Sequence, residues 1–152
     1  MPLSISPADP DFFRLLTGSY ERLVGSALPS SHLGPVWLYE HAPFAVLAHD
    51  TEADPRFIYA NRTAQHCFEY GWDEIISMSS RLSAEAPNRA ERQRLLDAVS
   101  LNGYVSGYRG VRIARSGRRF WIEDGVVWQL IDAEGVHRGQ AAMFAAWRNV
   151  DR

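Results

Sequence analysis

Three strand-length runs follow one another at the C-terminal end of this chain, with only short turns between them. They are Tyr104 to Arg115, Arg118 to Asp132 and Val136 to Trp147, each rich in Val, Ile and aromatic residues. The intervening "SG" and "AEG" are hairpin-length loops, too short for a parallel crossover. An antiparallel meander is therefore the frame on which the rest must pack. Its central run, "RRFWIEDGVVWQLID", raises a question. Successive strand side chains point to opposite faces, so Phe120, Ile122, Asp124, Val126, Trp128 and Leu130 are expected to share one face. One of these six is an acid. Trp121, Val127 and Ile131 are expected on the opposite face, which also needs a cover.

Upstream, "FAVLAHD" and "RFIYAN" read as two short strands across the turn "TEADP". Asn61 stands where a helix N-cap would, before "RTAQHCFEY", and Gly71 ends that helix. "WDEIISM" is a short helix with acids in its first turn. "NRAERQRLLDAVSLNG" is a longer amphipathic helix, with Leu95, Leu96 and Val99 inward and Gly103 past its end. The first forty residues form a helical extension. In it, "ADPDFFRLLTGSYERLVGSAL" spaces Phe12, Phe13, Leu16, Tyr20, Leu23 and Val24 as a helix does, and "PSSHLGPVWLYEHAP" adds a short second one. The expected architecture is an α+β domain: a five-stranded antiparallel sheet with helices on one face, and the N-terminal helices over the other.

At 152 residues the chain is one domain's worth and can bury a core without disulfides or metals. No apolar run is long enough to span a bilayer, and "MPLSISPADPDFF" does not read as a secretory signal. Cys67 is the single cysteine, which fits a reducing compartment, so the expected location is cytoplasmic with no membrane partner. The net charge of −2 argues against nucleic acid as a partner. All 16 basic residues are Arg, so lysine Schiff-base chemistry has no nucleophile.

The succession of strand, strand, "YANRTAQHCFEYGWDEIISM", long helix and three strands resembles the PAS fold. The matching positions are Asn61, Phe68 and Tyr70, Gly71, and Asp73 with Glu74. A closer resemblance is to the MEKHLA domain, a PAS-like family that occurs alone in bacteria. It is carried by "APFAVLAHDTEADPRFIYANRTA", "SRLSAE", "YRGVRIARSGRRFWIEDGVVWQLID" and "GQAAMF". The resemblance sets residues 42–152 as the PAS-like domain and 1–41 as the extension. It implies a small ligand or cofactor held between the sheet and the helix at Asn88 to Gly103. It also implies signal output through a homodimer or another protein, since the chain carries no effector segment of its own.

Cysteinyl-flavin photosensors of the PAS class place a Cys just after the acidic short helix; here Ser79 or Ser80 occupies that place, so the adduct is excluded. Haem is disfavoured because the long helix has no His. "HDTEAD" gathers His49, Asp50, Glu52 and Asp54, a set that could hold a divalent metal but reads more simply as a solvated turn. Of the clusters Arg89, Arg92, Arg94 and Arg112, Arg115, Arg118, Arg119, the second could contact an acidic partner or phosphates, but both read more simply as solvated faces.

Three readings of Asp124 stay open: a structural bond in the core, a ligand contact in the cavity, or a carboxyl whose pKa burial raises for acid–base work. The candidate ligand-binding residues are Asp124, Trp128, Phe120, Gln140, Tyr59, Asn61, Tyr108 and His49. The expected function is a small-molecule-binding or sensory module without catalysis. The alternatives are a dimerisation or protein-interaction domain with no ligand, and a small enzyme with Asp124 or His49 as general base.

Overall fold

The computed structural model describes residues 5–150. Helix α1 (Pro10–Val24) starts at Asp9, whose carboxylate accepts from the Asp11 and Phe12 amides, and stops at Gly25 in the left-handed region. Helix α2 (Pro35–Glu40) follows, then strands β1 (Ala45–His49) and β2 (Phe57–Ala60). Helices α3 (Arg62–Phe68) and α4 (Trp72–Ile75) and a 3-10 turn at Ser80–Ser83 lead into the long helix α5 (Ala86–Asn102). The meander is β3 (Tyr104–Ile113), β4 (Arg119–Ile131) and β5 (His137–Phe144), and β6 (Ala146–Asn149) continues β5 past a break at Ala145.

The sheet is antiparallel in the order β2-β1-β5-β4-β3, with β6 paired to the first half of β4. The run expected as one strand from Val136 to Trp147 is thus split. Its first part pairs with Val126 to Ile131 and its second with Phe120 to Glu123.

The cause of the split lies on β4. Asp124 has φ +50°, and the β3–β4 register slips between the pairs Tyr108–Gly125 and Gly110–Ile122. An extra residue in one strand inverts the in–out alternation beyond it. Phe120 and Ile122 face α5 before the bulge, and Val127 faces it after, whereas Trp128 and Leu130 turn to the opposite side. The expectation of one continuous face from Phe120 to Leu130 is therefore wrong. Asp124 itself is exposed, and its side chain is not on an apolar face. Val127, expected outside, lies in the inner core.

Two cores result. The inner one, between the sheet and α3 to α5, gathers Leu47, Phe57, Phe68, Leu95, Val99, Phe120, Ile122 and Phe144. The outer one is built by α1 and α2 on the other sheet face, around Leu16, Tyr20, Leu38, Tyr59, Trp128 and Leu130. The outer core is knitted by polar bonds as well. Ser19 exchanges two bonds with the Ile131 backbone, and the Trp128 indole donates to the Leu16 carbonyl at 3.2 Å.

Candidate functional site

The inner core does not close completely. A cavity of about 70 Å³ remains between the sheet and α5. Most of its wall is apolar: Leu47, Phe57, Leu95, Ile122, Val127 and Ala142 contribute. Six polar side chains break that wall, namely His49, Ser80, Ser83, Arg92, Tyr108 and Arg112, and Gln140 makes a seventh.

The two arginines are the most costly groups here. Arg92 on α5 and Arg112 on β3 are each only 7% exposed. Burial and the nearby Arg112 charge lower the Arg92 pKa to about 10, so it stays cationic at neutral pH. Arg92 donates to the Ser80 hydroxyl, and no carboxylate pairs with it among the described residues. Arg112 donates to the Val111 carbonyl and lies 4.0 Å from the Glu91 carboxylate, which also accepts from the Tyr108 hydroxyl. A Cβ at position 110 would meet the Tyr108 hydroxyl at 2.1 Å, so Gly110 is what lets that ring lie back along β3.

Across the cavity stand two acceptors without donors. His49 and Gln140 are cross-strand partners of β1 and β5, and both point inward. Gln140 is 4% exposed; its amide nitrogen donates to the Leu96 carbonyl and the Ser100 hydroxyl, but its Oε1 has no partner. His49 is half-buried as a residue, yet its Nε2 is sealed and unpartnered. Its Nδ1 lies 2.9 Å from the Asp50 carbonyl, which can only accept, so Nδ1 carries the proton and Nε2 the lone pair. Burial lowers the His49 pKa to about 4. Gly139, at φ +152°, lets β5 approach the His49 carbonyl, where any Cβ would collide at 2.0 Å.

Three of the residues singled out from sequence, His49, Tyr108 and Gln140, meet at this cavity. The others do not. Asp124 is exposed at the bulge. Trp128 and Tyr59 are in the outer core on the far side of the sheet. Phe120 faces inward but packs edge-to-face on Phe68, centroids 5.1 Å apart, and is not part of the cavity wall. Asn61 is saturated by structural bonds. Its Oδ1 accepts from the Val46 and Ala64 amides, and its Nδ2 donates to the Leu38 and Phe44 carbonyls.

Arg92 and Arg112, expected on solvated faces, are the residues sequence reasoning missed. Their signals were present. Arg92 stands three and seven positions before Leu95 and Val99, on the same helical stripe. Arg112 follows Tyr108 and Gly110 at the strand period, and all three are buried.

The "HDTEAD" carboxylates are used locally. Asp50 accepts from the Glu52 and Arg56 amides, and Asp54 binds Ser79 and Arg81. No grouping of metal-ligating side chains occurs among the described residues. Likewise, no helix among them is long and apolar enough to cross a membrane.

Comparison with known proteins bears on the family and the fold. The model of the MEKHLA domain matches residues 10–149. The chain belongs to the MEKHLA domain family. Among solved structures, it is similar to a PAS domain of a protein from Colwellia psychrerythraea, with 14% identity and TM-score 0.59 over 76% of this chain and 92% of that one. It also resembles a light-oxygen-voltage domain studied with a flavin analogue, at 15% identity and TM-score 0.57 over 70% and 77% of the two chains. An RNA-binding light-oxygen-voltage receptor matches with 18% identity and TM-score 0.60, over 80% of this chain and 35% of the receptor. At these identities the likeness shows the PAS fold. No curated protein matches the sequence.

The cavity measures about 70 Å³ in this structure, and no cysteine lines it. Cys67 is no photochemical nucleophile. It is buried in the inner core, and burial pushes its thiol up to about 12.

Proposed function

We propose that this MEKHLA domain is a sensory module that binds a small molecule between its sheet and α5. The single observation that carries the reading is an apolar cavity holding two buried acceptors with no partner, Gln140 Oε1 and His49 Nε2, opposite the Arg92 guanidinium, whose one hydrogen-bond partner among the described residues is the Ser80 hydroxyl. Buried polar atoms are almost always satisfied within a fold, so such a set points to a bound species. The site favours binding over chemistry. Its one base, His49, is weak at a pKa of about 4, and the acid considered from sequence, Asp124, is outside the cavity.

The route outward is through the sheet. Gln140 joins β5 to α5, and on the reverse face the Ser19 and Trp128 bonds join β4 to α1. A ligand that shifts α5 or β5 would move α1, where a partner protein or a second copy would read the change. Native mass spectrometry of the gently purified full chain tests this. A bound small molecule is expected, lost from an Ala142→Leu variant that fills the cavity. A bare chain whose melting temperature responds to no compound in a metabolite library would overturn the reading.

A further inference from the structure

Resting on that reading, the cavity's polar groups narrow the ligand class. We infer that the MEKHLA cavity binds a short-chain hydroxy carboxylic acid, its carboxylate at Arg92 and Arg112 and its hydroxyl donating to Gln140 Oε1 or His49 Nε2.

Three features lead there. First, neither buried guanidinium has an acid of its own. Arg112 lies 4.0 Å from Glu91, which is partly exposed and shared with the Tyr108 hydroxyl. The carboxylate that acts on Arg92 at a distance, Asp54, is already bonded to Ser79 and Arg81. The site therefore holds an excess of positive charge, and a buried cation without a counter-ion is costly. A carboxylate there would accept from guanidinium forks, the geometry arginine matches best. Second, Gln140 Oε1 and His49 Nε2 can only accept in their present state, so the ligand must bring a donor to them. An ammonium would supply a donor but adds charge beside two guanidiniums. A hydroxyl does not. Third, β3 lies two strands from β5 in the sheet, about 10 Å between backbones, and apolar side chains such as Ile122 and Val127 stand between. Something carbon-based must join the two polar ends, and the 70 Å³ volume keeps it short.

The test is calorimetric titration of the full chain with glycolate, lactate and 3-hydroxybutanoate. Propanoate lacks the hydroxyl, lactamide lacks the charge, alanine carries an ammonium, and inorganic phosphate lacks the carbon body. At least one hydroxy acid should bind. Its comparators should be weaker by at least about tenfold, the loss of one hydrogen bond to a charged or buried group. Arg92→Gln and, separately, Arg112→Gln should each weaken the acid by at least that factor, with far-UV circular dichroism unchanged in at least one of them. Gln140→Leu or His49→Phe, whichever removes the acceptor of the ligand hydroxyl, should keep acid binding while erasing the preference for lactate over propanoate, and retention of that preference in both variants would overturn the hydroxyl assignment. The assignment is overturned if no hydroxy acid binds, if lactamide or phosphate binds as tightly, or if both arginine variants fold and bind normally. Recovery of a neutral molecule by native mass spectrometry would overturn the acid class alone and leave the sensory reading standing. Absence of any bound or stabilising small molecule would remove both.

Discussion

The two faces of one sheet are built to different standards. On the outer face, under α1 and α2, the buried Ser19, Trp128 and Asn61 side chains are bonded: Ser19 with Ile131, Trp128 with Leu16, Asn61 with four backbone groups. On the inner face, under α5, two arginines are buried, Arg112 at 4.0 Å from an acid it shares with Tyr108 and Arg92 with no paired acid among the described residues, and two acceptors have no donor. Both faces bury large aromatic and aliphatic side chains, so hydrophobicity does not distinguish them. What differs is polar satisfaction, and that is where stability and binding part company. The outer face should carry the domain's stability, and the inner face should hold groups the empty fold would be better without.

The largest effect should come from the outer face. Trp128 is fully buried, meets Tyr20 edge-on with centroids 4.9 Å apart, and bonds Leu16. Trp128→Ala should cost about 3–5 kcal/mol in urea denaturation. A loss under about 1 kcal/mol would mean that the outer core is not the stabilising one.

Next in size is a pH effect from the inner face. Folding lowers the His49 pKa from 6.5 to about 4, because burial disfavours the cation and the Arg92 charge adds to this; the Asp50 carbonyl and carboxylate oppose it and the His137 ring adds slightly. Between those values the unfolded chain binds the proton and the folded one does not. Stability is therefore complete above about pH 6.5 and falls as the pH drops towards 4, by about 3 kcal/mol in all. Carboxylates held below their usual range by arginines, such as Glu123 beside Arg148 and Arg109, also lose stabilisation as the pH falls, at the acid end of this window. His49→Gln should flatten the urea midpoint between pH 6.5 and 4 relative to the parent. An unchanged slope would assign the window to another group.

The boundary between the two faces is the bulge. At φ +50° Asp124 occupies a region that Asp tolerates and β-branched residues do not. Asp124→Val should cost about 1–2 kcal/mol although the side chain is exposed, and Asp124→Gly should be near neutral. Equal stability of the Val and Gly variants would show that β4 runs straight through this point.

That bulge also marks where the sequence stops being readable by simple rules. The antiparallel meander, the Asn61 cap and the helical cover from the N-terminal segment all follow from local spacing and turn chemistry, whereas the split of the last run into β5 and β6 does not. Face assignment on β4 does not, because strict alternation was carried across "EDGVV", and a one-residue insertion reverses everything after it. The signal was an Asp-Gly pair inside a strand, which marks a bulge as readily as a turn. The arginines failed for a different reason. Charged residues are read as solvated by default, and that default overrode a helical stripe placing Arg92 with Leu95 and Val99. His49, Tyr108 and Gln140 reach the cavity although the register shifts at Ala48/His49 and on both sides of Tyr108, so residue chemistry rather than strict alternation is what marked them. Asn61 was legible as a cap, and that same capping role leaves its amide no free atom for a ligand.

The smallest effect carries the opposite sign. Arg92 is buried beside a like charge and has one hydroxyl as its bonding partner. Replacing it by Met keeps the length of the side chain and removes both the desolvation cost and the repulsion from Arg112, while leaving the Ser80 hydroxyl with one bond fewer. Exchange of a poorly compensated buried charge for an apolar side chain is often neutral or stabilising, here by about 1 kcal/mol in the ligand-free protein. Denaturation of Arg92→Met in ligand-free buffer checks it. If Arg92 were a structural residue like Trp128, the variant would lose stability. A gain would mean that the inner face keeps a destabilising group whose favourable interactions are made only when the cavity is filled.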